Sequence, residues 1–243
     1  MHWLESGGPR FPFHDHAMRY EYLSTAFVVL TASSAAPCLA QMPATPVLQN
    51  AWANSGVTVA GDYGNANDAS AFAGALAWSP VQSRFQLSAG AGIVRSDSGG
   101  SRGGYGARLA IPVRSFASGS IGTAVFGGVG VTSRLIHQPS ATQRVTLSSF
   151  PIGLAFGFRH SLGMTRGVSV YVSPFYLISR QTGDSLARPT GGALRASLGV
   201  DATIAPQIGL TLGYEAGATA TDRHPGPIGG VFGVGISYAL RRQ

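Results

Sequence analysis

The chain of 243 residues contains no lysine, because all 17 of its Lys+Arg positions are arginine. A P-loop, a Schiff-base centre and a Ser-x-x-Lys nucleophile all need a lysine amine, so none of these enzyme classes fits the sequence. Charged residues of any kind are also scarce, at 11%, against roughly 25% in an average soluble domain. Low charge with scattered aromatic residues argues against disorder. The length suits one all-β domain or two small domains.

Cysteine is nearly absent, and the single Cys38 lies in a segment that matches a secretory signal. From Met18, a short arginine-containing start is followed by an apolar stretch and then by small residues, the three-part pattern of such signals. We therefore predict a signal peptide over 18–40, cleaved after its last residue. Residues 1–17 match neither a signal nor a domain and are interpreted as an extension upstream of the true initiator. The mature chain, 41–243, has no thiol for a disulfide or a metal site.

Long apolar runs are also missing, since none in the mature chain approaches the ~20 residues that a membrane helix needs. Apolar residues instead alternate with small or polar ones at period two, which is typical of β-strands. Phe150, Ile152 and Phe156 share one face, for instance, and Gly153 and Ala155 share the other. Ten such segments are predicted as strands: 56–63, 70–79, 84–95, 104–114, 120–133, 146–160, 167–179, 193–204, 208–217 and 229–240.

The predicted connections differ in length on alternate sides. Those after even-numbered strands are short, whereas those after odd-numbered strands tend to be longer and rich in Gly, Ser, Asp and Arg. An even strand number with short turns on one rim and long loops on the other is what a transmembrane β-barrel requires. The predicted fold is all-β, an antiparallel up-and-down transmembrane barrel over 56–243 with ten strands, or alternatively eight or twelve. Both termini then lie at the periplasmic, short-turn rim, with 41–55 as a periplasmic leader. The predicted long loops are 64–69, 96–103, 134–145, 180–192 and 218–228.

The polarity of the strands is inside-out for a soluble protein. The bulky apolar stripe suits lipid, while the other stripe is mostly Gly, Ala, Ser and Thr with a few charges and suits a lumen. Residues 56–240 resemble the generic family of small single-chain bacterial outer-membrane β-barrel proteins. Gly235, Tyr238 and Leu240 are similar to that family's C-terminal assembly signal, although the chain ends Arg-Arg-Gln at 241–243, where an aromatic residue is usual. The resemblance implies a Gram-negative outer membrane, its lipid, and the barrel assembly machinery as partners.

Charged residues on the inward stripe are the first candidate site. If Ile204 pairs with Ile208 across the turn, Arg195 lies diagonally opposite Glu215, within reach of its side chain. One interpretation is a salt-bridge network that fills and stiffens the lumen, and the other is a narrow, porin-like constriction that selects small solutes or ions. The predicted lumen charge network comprises Asp62, Arg108, Arg159, Arg195, Asp201 and Glu215.

Arginines in the predicted long loops are the second candidate site. A guanidinium binds phosphate through two parallel hydrogen bonds, so these residues are candidates for contact with lipopolysaccharide phosphates. The alternative is ordinary solvated loop charge. The set comprises Arg95, Arg102, Arg134, Arg144, Arg180, Arg188 and Arg223.

Enzymatic motifs are incomplete. Asp222-x-His224 resembles the Asp-x-His of omptin-type proteases, but their second pair, Asp-x-Asp, is absent. His160 and Ser161 are adjacent, whereas barrel-type lipid deacylases carry His-x-Ser. His137, His160 and His224 are too dispersed in the sequence for a metal site. The Gly- and Arg-rich stretch after the third strand is interpreted as a hairpin loop, so we expect no nucleic-acid partner. We also expect no cofactor, no metal and no catalytic residue.

The function predicted from sequence is that of an integral outer-membrane β-barrel protein with a structural or surface-interaction role, exported by a cleaved signal peptide. The first alternative is a narrow passive pore for small solutes or ions. The next is an outer-membrane hydrolase that uses Asp222 and His224 in its last loop. A secreted soluble β protein is the remaining alternative, and the sequence leaves the oligomeric state open.

Overall fold

The chain folds into ten antiparallel strands. The computed structural model describes residues 45–53, 55–66, 69–80, 84–96, 100–138, 141–163, 166–183, 190–218 and 229–240, with the backbone alone at 96, 134–138 and 141–144. The strands are β1 Gly56–Ala66, β2 Ala69–Ser79, β3 Gln86–Ser96, β4 Ser101–Phe116, β5 Ile121–Gln138, β6 Ala141–Ser161, β7 Gly167–Gly183, β8 Thr190–Ala205, β9 Ile208–Gly217 and β10 Val231–Ala239. A 3-10 turn, Ala117–Gly119, joins β4 to β5. Within the described ranges, no helix is long and apolar enough to cross a membrane.

The sheet closes on itself, with each strand beside its neighbours in the sequence and β1 paired to β10. The closing pair runs from Thr58 opposite Ala239 to Ala66 opposite Val231. Closure leaves no free sheet edge, so every strand has partners on both sides. The rim that holds the start of β1 and the end of β10 is called the turn rim here, and the opposite rim the loop rim. The predicted ten-stranded antiparallel barrel is confirmed.

The predicted long loops are the part of the architecture that differs. Much of their sequence lies in strands, and the predicted loop at 134–145 is a hairpin in which Gln138 pairs with Ala141. The bulky apolar alternation that marks a strand in lipid is lost where the sheet rises into water on both faces, although the backbone ladder continues. The parts of the strands that extend beyond the apolar belt were therefore predicted as loops.

The outer face of the barrel is apolar. Along β9, Leu210, Leu212 and Tyr214 point outward and are exposed, while Thr211 and Glu215 point inward and are buried. The same alternation along the other strands gives a continuous surface of large hydrophobic side chains, far beyond what a soluble monomer exposes. In a bilayer this surface contacts acyl chains, and closure satisfies every backbone polar group. The fold is that of a transmembrane β-barrel.

Aromatic side chains lie toward both rims. Tyr63 and Phe72 pair near the loop rim with their ring centroids 4.8 Å apart. Trp78 and Phe85 pair near the turn rim with a separation of 5.5 Å. Aromatic rings at these two levels are typical of the membrane–water interfaces of transmembrane barrels.

Candidate functional site

The lumen is occupied by the chain itself. Residues 45–53, hereafter the luminal segment, lie inside the barrel, and Val47, Leu48 and Ala51 are at most 3% exposed. The sequence predicted 41–55 as a periplasmic leader, and the described part of that range instead lies among the inward side chains of the strands. These side chains are too small to fill a ten-stranded barrel by themselves, so the segment completes the core.

Near the loop-rim end of β9, the segment is held through its backbone. The Val47 amide donates to Glu215 Oε2 at 2.7 Å, and the Val47 carbonyl accepts from Ser197 Oγ at 2.5 Å. Pro46 packs against the backbone of β10 at Gly233, where an added Cβ would lie 2.8 Å from Pro46 Cδ. Glycine at 233 therefore makes room for the segment.

The middle of the segment is bound by strands that are not neighbours in the barrel. The Leu48 carbonyl accepts from Arg108 Nη1 at 2.9 Å, and the Gln49 carbonyl accepts from Ser173 Oγ at 2.6 Å. The Leu48 side chain covers Gly213, whose added Cβ would lie 3.0 Å from Leu48 Cγ. The segment forms no ladder with the barrel. Its Pro46 carbonyl accepts from the Leu48 amide at 3.0 Å, and the carbonyls of Leu48 and Gln49 are satisfied by side chains of the wall, as burial requires.

Asn50 is the side chain of the segment that the wall binds most fully. Its Nδ2 donates to Asp201 Oδ2 at 2.6 Å and to Ser169 Oγ at 2.7 Å. Its Oδ1 accepts from the Ala51 amide at 2.7 Å. The other oxygen of Asp201 accepts from the Thr211 hydroxyl. An amide bound by a buried carboxylate fixes both the depth and the rotation of the segment, because charge-assisted hydrogen bonds are short and directional.

Trp52 fills the turn-rim end of the lumen. Its ring lies over two glycines, and an added Cβ would be 2.7 Å from a ring carbon at Gly122 and 2.6 Å at Gly157. The Arg159 guanidinium carbon lies 5.0 Å from the ring centroid on another side, and Arg159 Nε donates to the Gly119 carbonyl at 2.7 Å. The indole is thus placed by close approach to the backbone and by a cation–π contact.

The buried ion pair of Arg195 and Glu215 anchors this arrangement. Arg195 Nε lies 2.5 Å from Glu215 Oε1, and both side chains are at most 3% exposed. Ser197 lies opposite Glu215 in the β8–β9 register, which places Arg195 diagonally across from Glu215 as expected. The assumed pairing of Ile204 with Ile208 is wrong, because the register shifts after Thr203 and Ala205 pairs with Ile208. Arg195 also donates to the Ala218 carbonyl at 3.2 Å and to the Gly229 carbonyl at 2.9 Å. The Arg195 guanidinium therefore links Glu215, which binds the segment, to both ends of the β9–β10 connection.

Most of the predicted lumen charges contact the luminal segment rather than one another. Arg108, Arg159, Asp201 and Glu215 each contact the luminal segment. Asp62 is buried, and in the described residues its two carboxylate oxygens have no hydrogen-bond partner. Sequence reasoning identified the wall residues by parity but missed Pro46, Asn50 and Trp52, which are the groups they hold. The only hint in the sequence was the set of inward glycines. They leave space in the lumen but do not show which residues fill it.

The second set of predicted residues is distributed along strands rather than loops. Arg95 and Arg180 are exposed near the loop-rim ends of β3 and β7. Arg95 ends the predicted third strand, 84–95, and lies in β3. Arg180 and three other arginines lie in predicted loops that the structure shows as strands, for the reason that applies to the loops themselves. The other three are Arg102 in β4, Arg134 in β5 and Arg144 in β6. Arg188 and Arg223 lie outside the described residues.

The residues of the enzymatic alternatives do not form a described site. Asp222 and His224 lie outside the described residues, as do the predicted signal peptide, 18–40, and the upstream extension, 1–17. His160 and Ser161 are exposed at the turn rim. Across the described ranges, no three His, Cys, Asp or Glu side chains gather where they could hold a metal ion.

Comparison with known proteins gives structural likeness alone. No family model matches the sequence, and no curated protein matches it. Among solved structures, the chain is similar to the β domain of the Bordetella autotransporter BrkA, with 14% identity, a TM-score of 0.45, and 76% of this chain and 98% of that one covered. The translocator domain of the autotransporter NalP from Neisseria meningitidis gives the same identity and TM-score over 76% and 87%. For the KdgM porin the values are 9%, 0.35, 76% and 99%.

Proposed function

We propose that this chain is an integral protein of the bacterial outer membrane whose barrel is closed by its own luminal segment, and that it has a structural or surface-interaction role. The observation that carries the proposal is the binding of the segment from Pro46 to Trp52 by inward side chains of the barrel. A single-chain antiparallel barrel with an apolar outer belt is the outer-membrane type of fold. Export by the predicted signal peptide, 18–40, belongs to the same proposal, and no enzymatic role does.

A narrow pore is the second candidate. The inward residues on the β1, β2 and β10 walls are small, as at Ala60, Ala71, Ala75 and Gly233. If the segment left the lumen, these walls would border a water-accessible passage with Arg195 and other charges along it, which is the kind of constriction that selects ions. In this candidate the luminal segment is a plug, and conduction depends on its removal.

Planar-bilayer conductance separates the two candidates. Residues 41–243 refolded in detergent are expected to insert without discrete current steps, whereas a variant that begins at 54 is expected to conduct. Folding of both proteins is checked by faster migration of unboiled sample on a gel, so that silence from either one cannot be due to unfolded protein. Stable current steps from the full mature chain would favour the pore, and silence from both folded proteins would exclude it.

Lipid contacts at the loop rim are proposed for Arg95 and Arg180. Their exposed guanidinium groups lie at strand ends beyond the aromatic level, where lipopolysaccharide phosphates are found in an outer membrane. Exchange of both for glutamine is expected to weaken binding of the detergent-solubilised protein to lipopolysaccharide, and the effect should shrink with added salt. Arg114→Gln, at the exposed turn-rim end of β4, is the control and should leave binding unchanged.

The last strand supports recognition by the barrel assembly machinery. Tyr238 and Leu240 are exposed on the outer face of the barrel, and the Tyr238 hydroxyl donates to Gln207 Oε1 at 2.9 Å. Gly235 faces the lumen opposite Asp62 on β1. An added Cβ at Gly235 would lie 2.6 Å from the Asp62 carboxylate oxygen Oδ1. Tyr238→Ser is expected to lower the amount of protein assembled in outer membranes, with Tyr105→Ser, another outward-facing tyrosine, in β4, as the control.

A further inference from the structure

We infer that the turn-rim end of the lumen is a binding site for a small oxyanion of the phosphate class, centred on the guanidinium of Arg159. Arg159 meets Trp52 of the luminal segment, so the site lies inside the mouth of the barrel and its ligand is a soluble anion rather than a lipid on the outer surface. The inference needs only the folded barrel, and it holds or fails independently of the outer-membrane role proposed above.

The Arg159 guanidinium is held in one position. Its Nε donates to the Gly119 carbonyl at 2.7 Å, and its Cζ lies 5.0 Å from the centroid of the Trp52 ring. The turn that supplies the carbonyl is left-handed, with φ of 48° at Ala117, 56° at Ser118 and 86° at Gly119, a conformation that only glycine adopts easily. An added Cβ at Gly119 would lie 3.1 Å from Arg159 Nη2, so glycine there makes room for the guanidinium. A guanidinium that is already positioned loses little side-chain freedom when it binds an anion.

Hydrogen-bond donors remain unused at this end of the lumen. Arg159 forms neither a hydrogen bond from Nη1 or Nη2 nor an ion pair with any described residue. Trp52 Nε1 is buried and has no hydrogen-bond partner in the described ranges. Such donors gain most from an ionised acceptor, because charge-assisted hydrogen bonds are the strong ones. The two side chains therefore favour an anion at this place.

The charge of the turn rim also favours an anion. The connections at this rim are 80–85, 117–120, 162–166 and 206–207. Their sequences contain Arg84 and Arg166 but no aspartate or glutamate. The inward carboxylate of β8, Asp201, already accepts from Asn50 and Thr211. Positive charge without a matching acid raises the local concentration of anions at the mouth.

A phosphate group suits these donors better than a single carboxylate does. A guanidinium binds two phosphate oxygens through parallel hydrogen bonds. Phosphate then still has oxygens that can accept from a second donor such as the Trp52 indole, whereas a carboxylate has both of its oxygens in use. The expected order of affinity is therefore phosphate before acetate.

Fluorescence of Trp52 tests binding directly. The tryptophans of the mature chain are Trp52 and Trp78, so Trp78→Phe leaves a single reporter beside Arg159. Titration of this folded variant of 41–243 in detergent with inorganic phosphate, at an ionic strength held constant with sodium chloride, is expected to change the Trp52 emission saturably. Half-saturation should need about tenfold less phosphate than acetate, as one more hydrogen bond to a charged group implies. An equally strong response to acetate, or none to phosphate, would overturn the inference.

Variants show whether Arg159 carries the site. Arg159→Gln should abolish the phosphate response, and Arg159→Lys, which keeps the charge without the planar fork, should weaken it about tenfold. Arg166→Gln is the matched control, because that arginine is exposed on the same rim, and it should leave the response unchanged. An undiminished response in either folded Arg159 variant would overturn the inference. Short-chain phosphatidylglycerol, added below its micelle concentration, separates the two sources of a phosphate group, and tighter binding of this lipid than of inorganic phosphate would overturn a soluble ligand.

Discussion

Replacement of Arg195 by methionine perturbs the most deeply buried charge in the barrel. The change removes the guanidinium that lies 2.5 Å from Glu215 Oε1 and leaves that carboxylate buried, with the Val47 amide still donating to its other oxygen. Removal of one partner of a buried pair costs about 3–5 kcal/mol, because the remaining charge has lost its compensation. With an m-value of about 2 kcal/mol/M, the midpoint of urea unfolding in detergent should fall by about 2 M.

A second substitution distinguishes loss of pairing from loss of packing. In the variant that combines Arg195→Met with Glu215→Leu, no charge is left unpaired, so the two single costs should not add and a coupling of about 2 kcal/mol should appear. Arg114→Met is the matched control, since that exposed arginine only lies over Phe116 and is worth about 1 kcal/mol or less. A double variant as unstable as the sum of the single variants would refute the reasoning about the pair.

Four further predictions concern the luminal segment and the lumen that holds it. Trp52→Ala should lower stability by about 3 kcal/mol in urea unfolding, since it empties the space over Gly122. Gly122→Ala should also destabilise the barrel, because its Cβ would lie 2.7 Å from the Trp52 ring, and should become nearly neutral when Trp52 is alanine. Asn50→Leu should cost about 2 kcal/mol, since it leaves the Asp201 carboxylate without its amide donor. In the conducting variant that begins at 54, Glu215→Ala should reduce selectivity for cations, as measured by reversal potentials.

Matched variants accompany two of these predictions. Gly74→Ala serves for Gly122→Ala, because nothing lies within 4 Å of its added Cβ, and it should change stability little. Asn65→Leu serves for Asn50→Leu, since Asn65 is exposed near the end of β1. If Gly122→Ala were as harmless as Gly74→Ala, the indole would not lie where its contacts place it. Unchanged selectivity on loss of the Glu215 charge would remove that residue from the constriction.

The barrel itself was predictable because lipid imposes a simple pattern. Each strand must show apolar side chains outward and small or polar ones inward, so parity alone assigned Arg195 and Glu215 to the lumen and the register placed them together. The strand ends above the membrane follow no such pattern, because water covers both faces there. This is why the hairpin that ends with Gln138 opposite Ala141 was expected to be a loop.

The luminal segment was not predictable for a different physical reason. Its contacts join residues far apart in the sequence, such as Val47 with Glu215 and Asn50 with Asp201, at separations of 168 and 151 residues. A short irregular peptide held by hydrogen bonds from the wall needs no periodic pattern of its own. Its partners are serines, glycines and single charges, each of which has many ordinary explanations in a barrel wall. Only the three-dimensional arrangement of these wall residues shows that they all contact the same segment.

The most direct test of the occupied lumen is a disulfide between the segment and the wall near the turn rim. An added Cβ at Gly157 would lie 3.3 Å from the Ala51 Cβ, close to the ~3.8 Å typical of disulfides. An added Cβ at Gly157 would also lie 2.6 Å from the Trp52 ring, so the pair Ala51→Cys with Gly157→Cys is made in the Trp52→Ala background. There it should cross-link in the folded, detergent-solubilised protein, as detected by mass after proteolysis. The control pair, Ala51→Cys with Phe158→Cys, should remain free, because Phe158 faces outward. A folded protein in which the first pair stays reduced, or the control pair cross-links equally well, would contradict a lumen filled by this segment.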